Sequence, residues 1–324
     1  KQMKELLSLE EDKLNWKIVL FLILIAYGFN IAVRYIYISY VGDVPQFQWQ
    51  GHLMINNNDG YYWAEGARDI LAGHHENNDL SPVTNPASIL TAYIAKFLPF
   101  VNFDVLIEYL PGFLGSLVVV PVVLIGRVLG STWFGFLAGL MSGMVWSYYH
   151  RTMFGYYDTD MLVIVFPTFA IWAVLWSITN KNLKFFFLAP LIEIFMIKWH
   201  IGLLNVANGI FIMSVIYLGV IFYKERQFNK EWLLLFLLIV PLLPVTFLLK
   251  IVILFLLYAV IISKKELIQK NLEYILIGGA VLYLAVVGLP WIKHILGAGY
   301  FTRAVTSTDE GLKYFNVVNT VSEA

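Results

Sequence analysis

Four carboxylates and one guanidinium are the residues here most able to do chemistry. Asp158 and Asp160 stand two apart in Gly155-Tyr156-Tyr157-Asp158-Thr159-Asp160-Met161. Asp59 follows Asn56-Asn57-Asn58 and precedes Gly60, and Glu323 stands in Thr320-Val321-Ser322-Glu323. Oxygen ligands without sulfur suit a hard divalent cation, Mg²⁺ or Mn²⁺. Arg151, on the same loop as Asp158, could neutralise that pair or meet a phosphate with its planar fork. Each group also has a plainer reading. Asp59 fits a turn, Asp158 or Asp160 fits a helix N-cap, Arg151 fits a membrane interface, and Glu323 fits a solvated end.

What would gather these residues is a membrane. The chain has 324 residues, 59% hydrophobic and 14% charged, where soluble domains carry roughly a quarter charged residues. Apolar runs recur along its whole length, so the expected fold class is an all-α polytopic membrane protein. Nine crossings are read at about 16–40, 105–128, 133–149, 161–178, 183–199, 201–223, 232–243, 246–262 and 272–291. The seventh and eighth share one apolar stretch broken by Pro241 and Pro244. Basic loops on both sides of that stretch (Lys224, Arg226 and Lys230 before it, Lys264, Lys265 and Lys270 after it) require two crossings between them. The first run is too long for a cleaved signal segment and reads as an uncleaved anchor.

The positive-inside rule puts the N-terminal lysines, Arg127, Lys181 and Lys184 on the same side as those basic loops. The opposite side receives 41–104, 148–160, 198–202, 244–246 and 292–324, and with them all four carboxylates. Within 41–104, residues 61–69 suit a short interfacial helix, and 87–100 suits an apolar segment lying on the membrane. A net charge of zero gives no hint of nucleic acid, and the absence of cysteine excludes disulfides, thiolate metal sites and a cysteine nucleophile. No zinc-protease, nucleophile-elbow or P-loop motif is present. His74-His75 reads as a solvated pair. Glu193, inside an apolar run, is an ionisable group at depth.

The aspartate pair also matches the D-x-D pattern with which glycosyl-transferring enzymes hold a metal and a phosphate. A longer set of motifs surrounds it. Asn58-Asp59-Gly60-Tyr61, Ala64-Glu65-Gly66-Ala67-Arg68-Asp69, Tyr148-Tyr149 with Arg151-Thr152-Met153, and Gly155 to Met161 closely resemble bacterial single-subunit oligosaccharyltransferases of the PglB type, in the STT3 family. Thr320-Val321-Ser322-Glu323 is similar to that family's T-I-x-E element, with valine for isoleucine. The resemblance implies a GT-C type architecture and transfer of an oligosaccharide from a polyprenyl-pyrophosphate donor to the asparagine amide of an Asn-x-Ser/Thr sequon. It implies a bacterial inner membrane protein with its active site on the periplasmic face.

Carried over residue by residue, the resemblance makes Asp59, Asp158 and Glu323 ligands of a divalent cation, with Asp160 beside them. Asp59 and Glu323 would also bind the acceptor amide, and Arg151 would line the site. Lys198, Trp199 and His200 stand where relatives tend to have Trp-Trp-Tyr; with Tyr300 they are candidate donor contacts. The family continues past the T-I-x-E element with more crossings and a soluble domain whose Trp-Trp-Asp reads the sequon. No Trp-Trp-Asp occurs here. The expected organisation is therefore a transmembrane domain over 1–291, the start of a second external loop over 292–324, and a soluble domain outside these residues. Protein O-mannosyltransferases and lipid A aminoarabinose transferases, which share the architecture, are the alternative reading. A transporter is a more distant one.

Overall fold

The computed structural model describes residues 11–49, 51–76 and 79–297. Glu323 and Tyr300 lie outside them. The described chain is helical apart from one small antiparallel ribbon, β1 (Gln48–Trp49) with β2 (His52–Leu53). The first long helix, α1 (Trp16–Val41), leads into that ribbon and then into α2 (Asn58–Ala72) and α3 (Pro86–Phe97). Both helices start at sequence-encoded caps. Asn57 accepts from the Asp59 amide, and Asn85 accepts from Ala87 with Pro86 in the first turn. The two helices lie so close that a Cβ on Gly66 would sit 2.8 Å from Ser88 Oγ. The interfacial helix expected over 61–69 is thus the middle of α2, and the apolar segment is α3.

The bundle continues with α4 (Phe103–Ser116) and α5 (Val119–Val128), then α6 (Thr132–Ser142), α7 (Trp146–Thr152), α8 (Asp160–Val163) and α9 (Val165–Asn180). It closes with α10 (Leu188–Trp199), α11 (Leu203–Glu225), α12 (Leu233–Ile239), α13 (Phe247–Ser263), α14 (Lys265–Lys270), α15 (Leu272–Tyr283) and α16 (Leu289–Gly297). Among the described residues, five segments are long and apolar enough to cross a bilayer: Trp16–Val41, Phe103–Val128, Asp160–Asn180, Leu203–Glu225 and Leu272–Lys293. The protein is a multi-pass membrane protein. Leu20, Phe21 and Leu24 of α1, Phe134 and Leu137 of α6, and Leu248 and Leu256 of α13 are exposed, an outward apolar surface suited to lipid.

The other four expected crossings are shorter helices. The run 133–149 breaks at Gly143 to Val145 between α6 and α7. A Cβ at Gly143 would fall 1.4 Å from Asn30 Oδ1 and 2.8 Å from Arg34 Nη1, so α1 side chains occupy that notch. In the stretch 183–199, a 3₁₀ turn at Leu183–Phe185 precedes α10, which begins only at Leu188. The seventh is α12 and a 3₁₀ turn, Val240–Leu242, that contains Pro241. Every residue of α12 except the half-buried Phe236 is buried, so this element is largely core. The eighth, α13, is apolar but for a few residues, among them the buried Lys250 whose Nζ donates to Pro241 O, and is also shorter than the five. Glycines permit a close backbone crossing, where a Cβ on Gly126 of α5 would lie 2.3 Å from the Gly135 Cα of α6.

Candidate active site

The loop between α7 and α8 is held from three directions by its backbone. Gly155, at φ +83°, donates its N–H to Glu108 O of α4 (2.7 Å), and its carbonyl accepts from Asn56 N (2.9 Å). Gly60, in the first turn of α2, lies against the Tyr157 carbonyl; a Cβ there would be 2.5 Å from that oxygen. Tyr157 is fully buried and its hydroxyl meets Thr91 Oγ1 of α3 at 2.5 Å. The segment around residues 56–60 and the loop that bears Asp158 are therefore packed backbone to backbone.

On this frame Asp158 is buried, 9% exposed, and both its oxygens accept. Oδ2 takes Asn57 Nδ2 (3.0 Å); Oδ1 takes Trp63 Nε1 (3.1 Å), Thr159 N (2.5 Å) and Thr159 Oγ1 (3.2 Å). Asp59, exposed at the start of α2, is two residues from Asn57 and four from Trp63, so its helix and that helix's cap supply two of the donors to Asp158. Asp160 begins α8 and pairs with Arg151 Nη1 at 3.0 Å; the same nitrogen donates to Tyr156 Oη at 2.9 Å. Burial raises the Tyr156 phenol above its ordinary value, partly opposed by Arg151.

The three candidate donor contacts at 198–200 divide. Lys198 and His200 are exposed at the end of α10. Trp199 is placed otherwise than a surface contact: it is buried, its indole N–H donates to Thr159 O at 2.7 Å, and its ring packs on Phe166 with centroids 6.0 Å apart. It supports the carboxylate loop from beneath. Sequence reasoning also passed over Asn57 and Trp63. An asparagine two residues before Asp59 and a tryptophan on the same helical face as Asp59 (i, i+4) were the available signals.

The oxygen-only donor set of Asp59, Asp158 and Asp160 fits a hard divalent cation in kind. In the described residues these three do not converge as one tight ligand cluster, because Asp158 is turned to Asn57 and Trp63 and Asp160 to Arg151. A different trio does converge: Asp69, His75 and Asp79 have ligand atoms within 4.8 Å of one another. Hydrogen bonds account for it. Ser81 Oγ and His75 Nδ1 both meet Asp69 Oδ2, and the Asp79 carboxylate accepts from Ser81 N (2.8 Å), tying the following loop to the end of α2. Those contacts, the Ser81 hydroxyl first, hold the Asp69 carboxyl below its usual range. His74 and His75 are both exposed, and His75 in addition staples the loop to Asp69.

A family model described as oligosaccharyl transferase STT3, N-terminal, matches residues 51–322. The chain belongs to this family. Among relatives, it is 34% identical over 328 residues to the undecaprenyl-diphosphooligosaccharide–protein glycotransferase of Campylobacter jejuni strain RM1221. The same enzyme of C. jejuni serotype O:2 (strain NCTC 11168) is also 34% identical, over 329 residues. Each match takes in 95% of this chain and 43% of the relative, so the chain spans less than half the length of these proteins. A crystal structure of the Archaeoglobus fulgidus oligosaccharyltransferase in the apo form matches 94% of this chain and 39% of its own, with TM-score 0.54 and 14% identity. That likeness is one of fold.

Proposed function

We propose that this chain is the membrane-embedded catalytic part of an oligosaccharyltransferase, moving an oligosaccharide from a polyprenyl-pyrophosphate lipid onto the asparagine amide of an Asn-x-Ser/Thr acceptor. One observation carries the reading beyond family membership. The first turn of α2, which bears Asp59, is fastened to Asp158 by Asn57 and Trp63 and backed against the Tyr157 carbonyl. Residues about a hundred positions apart thereby meet at the ends of helices. A transporter would place such groups near mid-bilayer on broken helices.

In this reading Asp59 and Glu323 accept the two N–H bonds of the acceptor amide. Amide nitrogen is unreactive while its lone pair is delocalised into the carbonyl, and two charge-assisted bonds favour a twist out of that conjugation. Arg151 holds Asp160 in place, Lys198, His200 and Tyr300 face the pyrophosphate, and the polyprenyl tail lies in lipid. Asp59, Asp158, Asp160 and Glu323 are the groups to hold Mg²⁺ or Mn²⁺, which when bound would stabilise charge developing on the leaving group. The topology proposed with it is nine crossings over 1–291, the carboxylates on the periplasmic face of the inner membrane, and the sequon-reading domain beyond residue 324.

The test is transfer from lipid-linked oligosaccharide to a fluorescent sequon peptide by the full-length protein. Asp59→Asn with Glu323→Gln should lower kcat by about a hundredfold or more, the scale of losing groups that act in the transition state. Unchanged transfer by that double variant would end the proposal.

A further inference from the structure

Arg34 is the one arginine with no exposed surface among the described residues, and the function above makes no use of it. It stands in the second half of α1, inside a span long enough to cross the bilayer, where a charged side chain is expensive and calls for an explanation. No carboxylate among the described residues pairs with it. Its N–H groups go elsewhere. Nε donates to Thr152 O (2.9 Å) and Nη2 to Thr152 Oγ1 (2.7 Å), while Nη1 reaches Asn30 O (3.3 Å) and Asn30 Oδ1 (3.4 Å).

Thr152 is the last residue of α7, and helix-terminal carbonyls lack an intrahelical donor. A guanidinium that takes both the carbonyl and the hydroxyl of one residue fixes that residue's position and its rotation together. The surroundings remove the remaining freedom. Thr152 Oγ1 donates to Tyr148 O (2.7 Å), Tyr148 Oη donates to Gly115 O of α4 (2.6 Å), and the Arg34 guanidinium lies 5.5 Å over the Tyr148 ring. Thr152 itself sits flush on α4, where a Cβ on Gly115 would meet Thr152 Cβ at 2.5 Å. Arg151, which holds Asp160, is the preceding residue, and the loop to Asp158 starts at the next one.

We propose that Arg34 is a positioning residue: through its forked bond to Thr152 it sets the direction in which Arg151 and the 153–160 loop leave α7. This rests on the transferase reading for its functional consequence, though not for the geometry. A fold staple alone would not need this residue, since well-packed apolar side chains serve as well as a buried charge. Lysine keeps the charge but cannot make both bonds, and valine at 152 keeps the shape and the carbonyl while losing the hydroxyl.

The experiment uses full-length protein carrying Arg34→Lys, Thr152→Val, or both, with kcat and KM for a sequon peptide and amide hydrogen exchange of 153–160. The expected result is a kcat per folded molecule lower by about tenfold or more with KM little changed, as misplacement of reacting groups produces. Exchange should quicken in 153–160 and stay as it was in α9. The double variant should be no worse than Arg34→Lys, because both changes cut one linkage. Unchanged kcat and unchanged local exchange in both single variants would overturn the proposal, as would losses that merely track the amount of folded protein. If the unaltered protein transfers nothing, the transferase reading fails and the exchange comparison alone decides. If Arg34→Lys does not fold, Thr152→Val carries both measurements.

Discussion

At the residue scale, Asp158 does as much for the fold as for any chemistry. Its carboxylate is the shared acceptor for Asn57, Trp63 and Thr159. Asp158→Ala should therefore leave several donors unmet and cost about 1–3 kcal/mol for each that stays buried, read as a fall in Tm of the detergent-solubilised protein. Glu193 in α10 is the opposite case. It is fully buried and neither oxygen has a hydrogen-bond partner among the described residues. Glu193→Met should be neutral or raise Tm, since replacing an unsatisfied buried polar group with an apolar one of similar size removes a desolvation cost; a large fall in Tm would mean that the group has a use.

Asp12 gives a pH dependence. Its carboxylate accepts from Thr132 N (2.8 Å), and that bond is the main reason its pKa lies below the ordinary value. A depressed folded-state pKa gives stability that is present above the ordinary aspartate value of about 4 and is lost as pH falls through the folded-state value. Asp12→Ala should thus lower Tm slightly at neutral pH and flatten the decline in Tm on acidification. The slope of Tm against pH in the two proteins checks it.

At the scale of elements, two glycines serve as clearances. Gly60 lets α2 touch the Tyr157 carbonyl, and Gly143 gives Asn30 and Arg34 their room. Gly60→Ala and Gly143→Ala should each disturb the loop that bears Asp158, lowering both Tm and transfer; a variant with normal transfer would show that the backbone has somewhere to yield. Neither clearance could be read from sequence, because each depends on a contact between segments about a hundred residues apart. What was legible was local. The helical character of 61–69 and 87–100 lay in α2 and α3, and Pro241 and Pro244 marked the break after α12, whereas the caps at Asn57 and Asn85 emerge only in the structure. Trp199 was legible as a site neighbour but not as a support, since only the folded chain shows its indole under Thr159. The run 133–149 read as one helix because hydropathy does not register a polar side chain from α1 entering at Gly143.

At the scale of the molecule, the proposed topology can be checked with the chain's own chemistry. These residues contain no cysteine, so single cysteines serve as reporters. Glu76→Cys and Thr246→Cys should react with a membrane-impermeant maleimide from the periplasmic side, and Gln227→Cys and Lys264→Cys only after the membrane is opened. All four sites are exposed. Labelling of Gln227→Cys in intact cells would remove the two-crossing reading of 232–262, where α12 alone is too short to span about 30 Å of hydrocarbon.

The bonds from Asn57 and Trp63 to Asp158 also order events in time. Translation delivers α2 roughly a hundred residues before the loop it fastens, and chains emerge at about 5–20 residues per second. For several seconds the donors of α2 face water or headgroups without their acceptor, and Gly60 has no carbonyl to rest against. The contact can close only once residues 153–160 have been made, when the loop arrives with both aspartates. Closure of this contact therefore waits for the loop, and a ribosome stalled short of residue 158 would hold a chain in which Asn57 and Trp63 lack this acceptor.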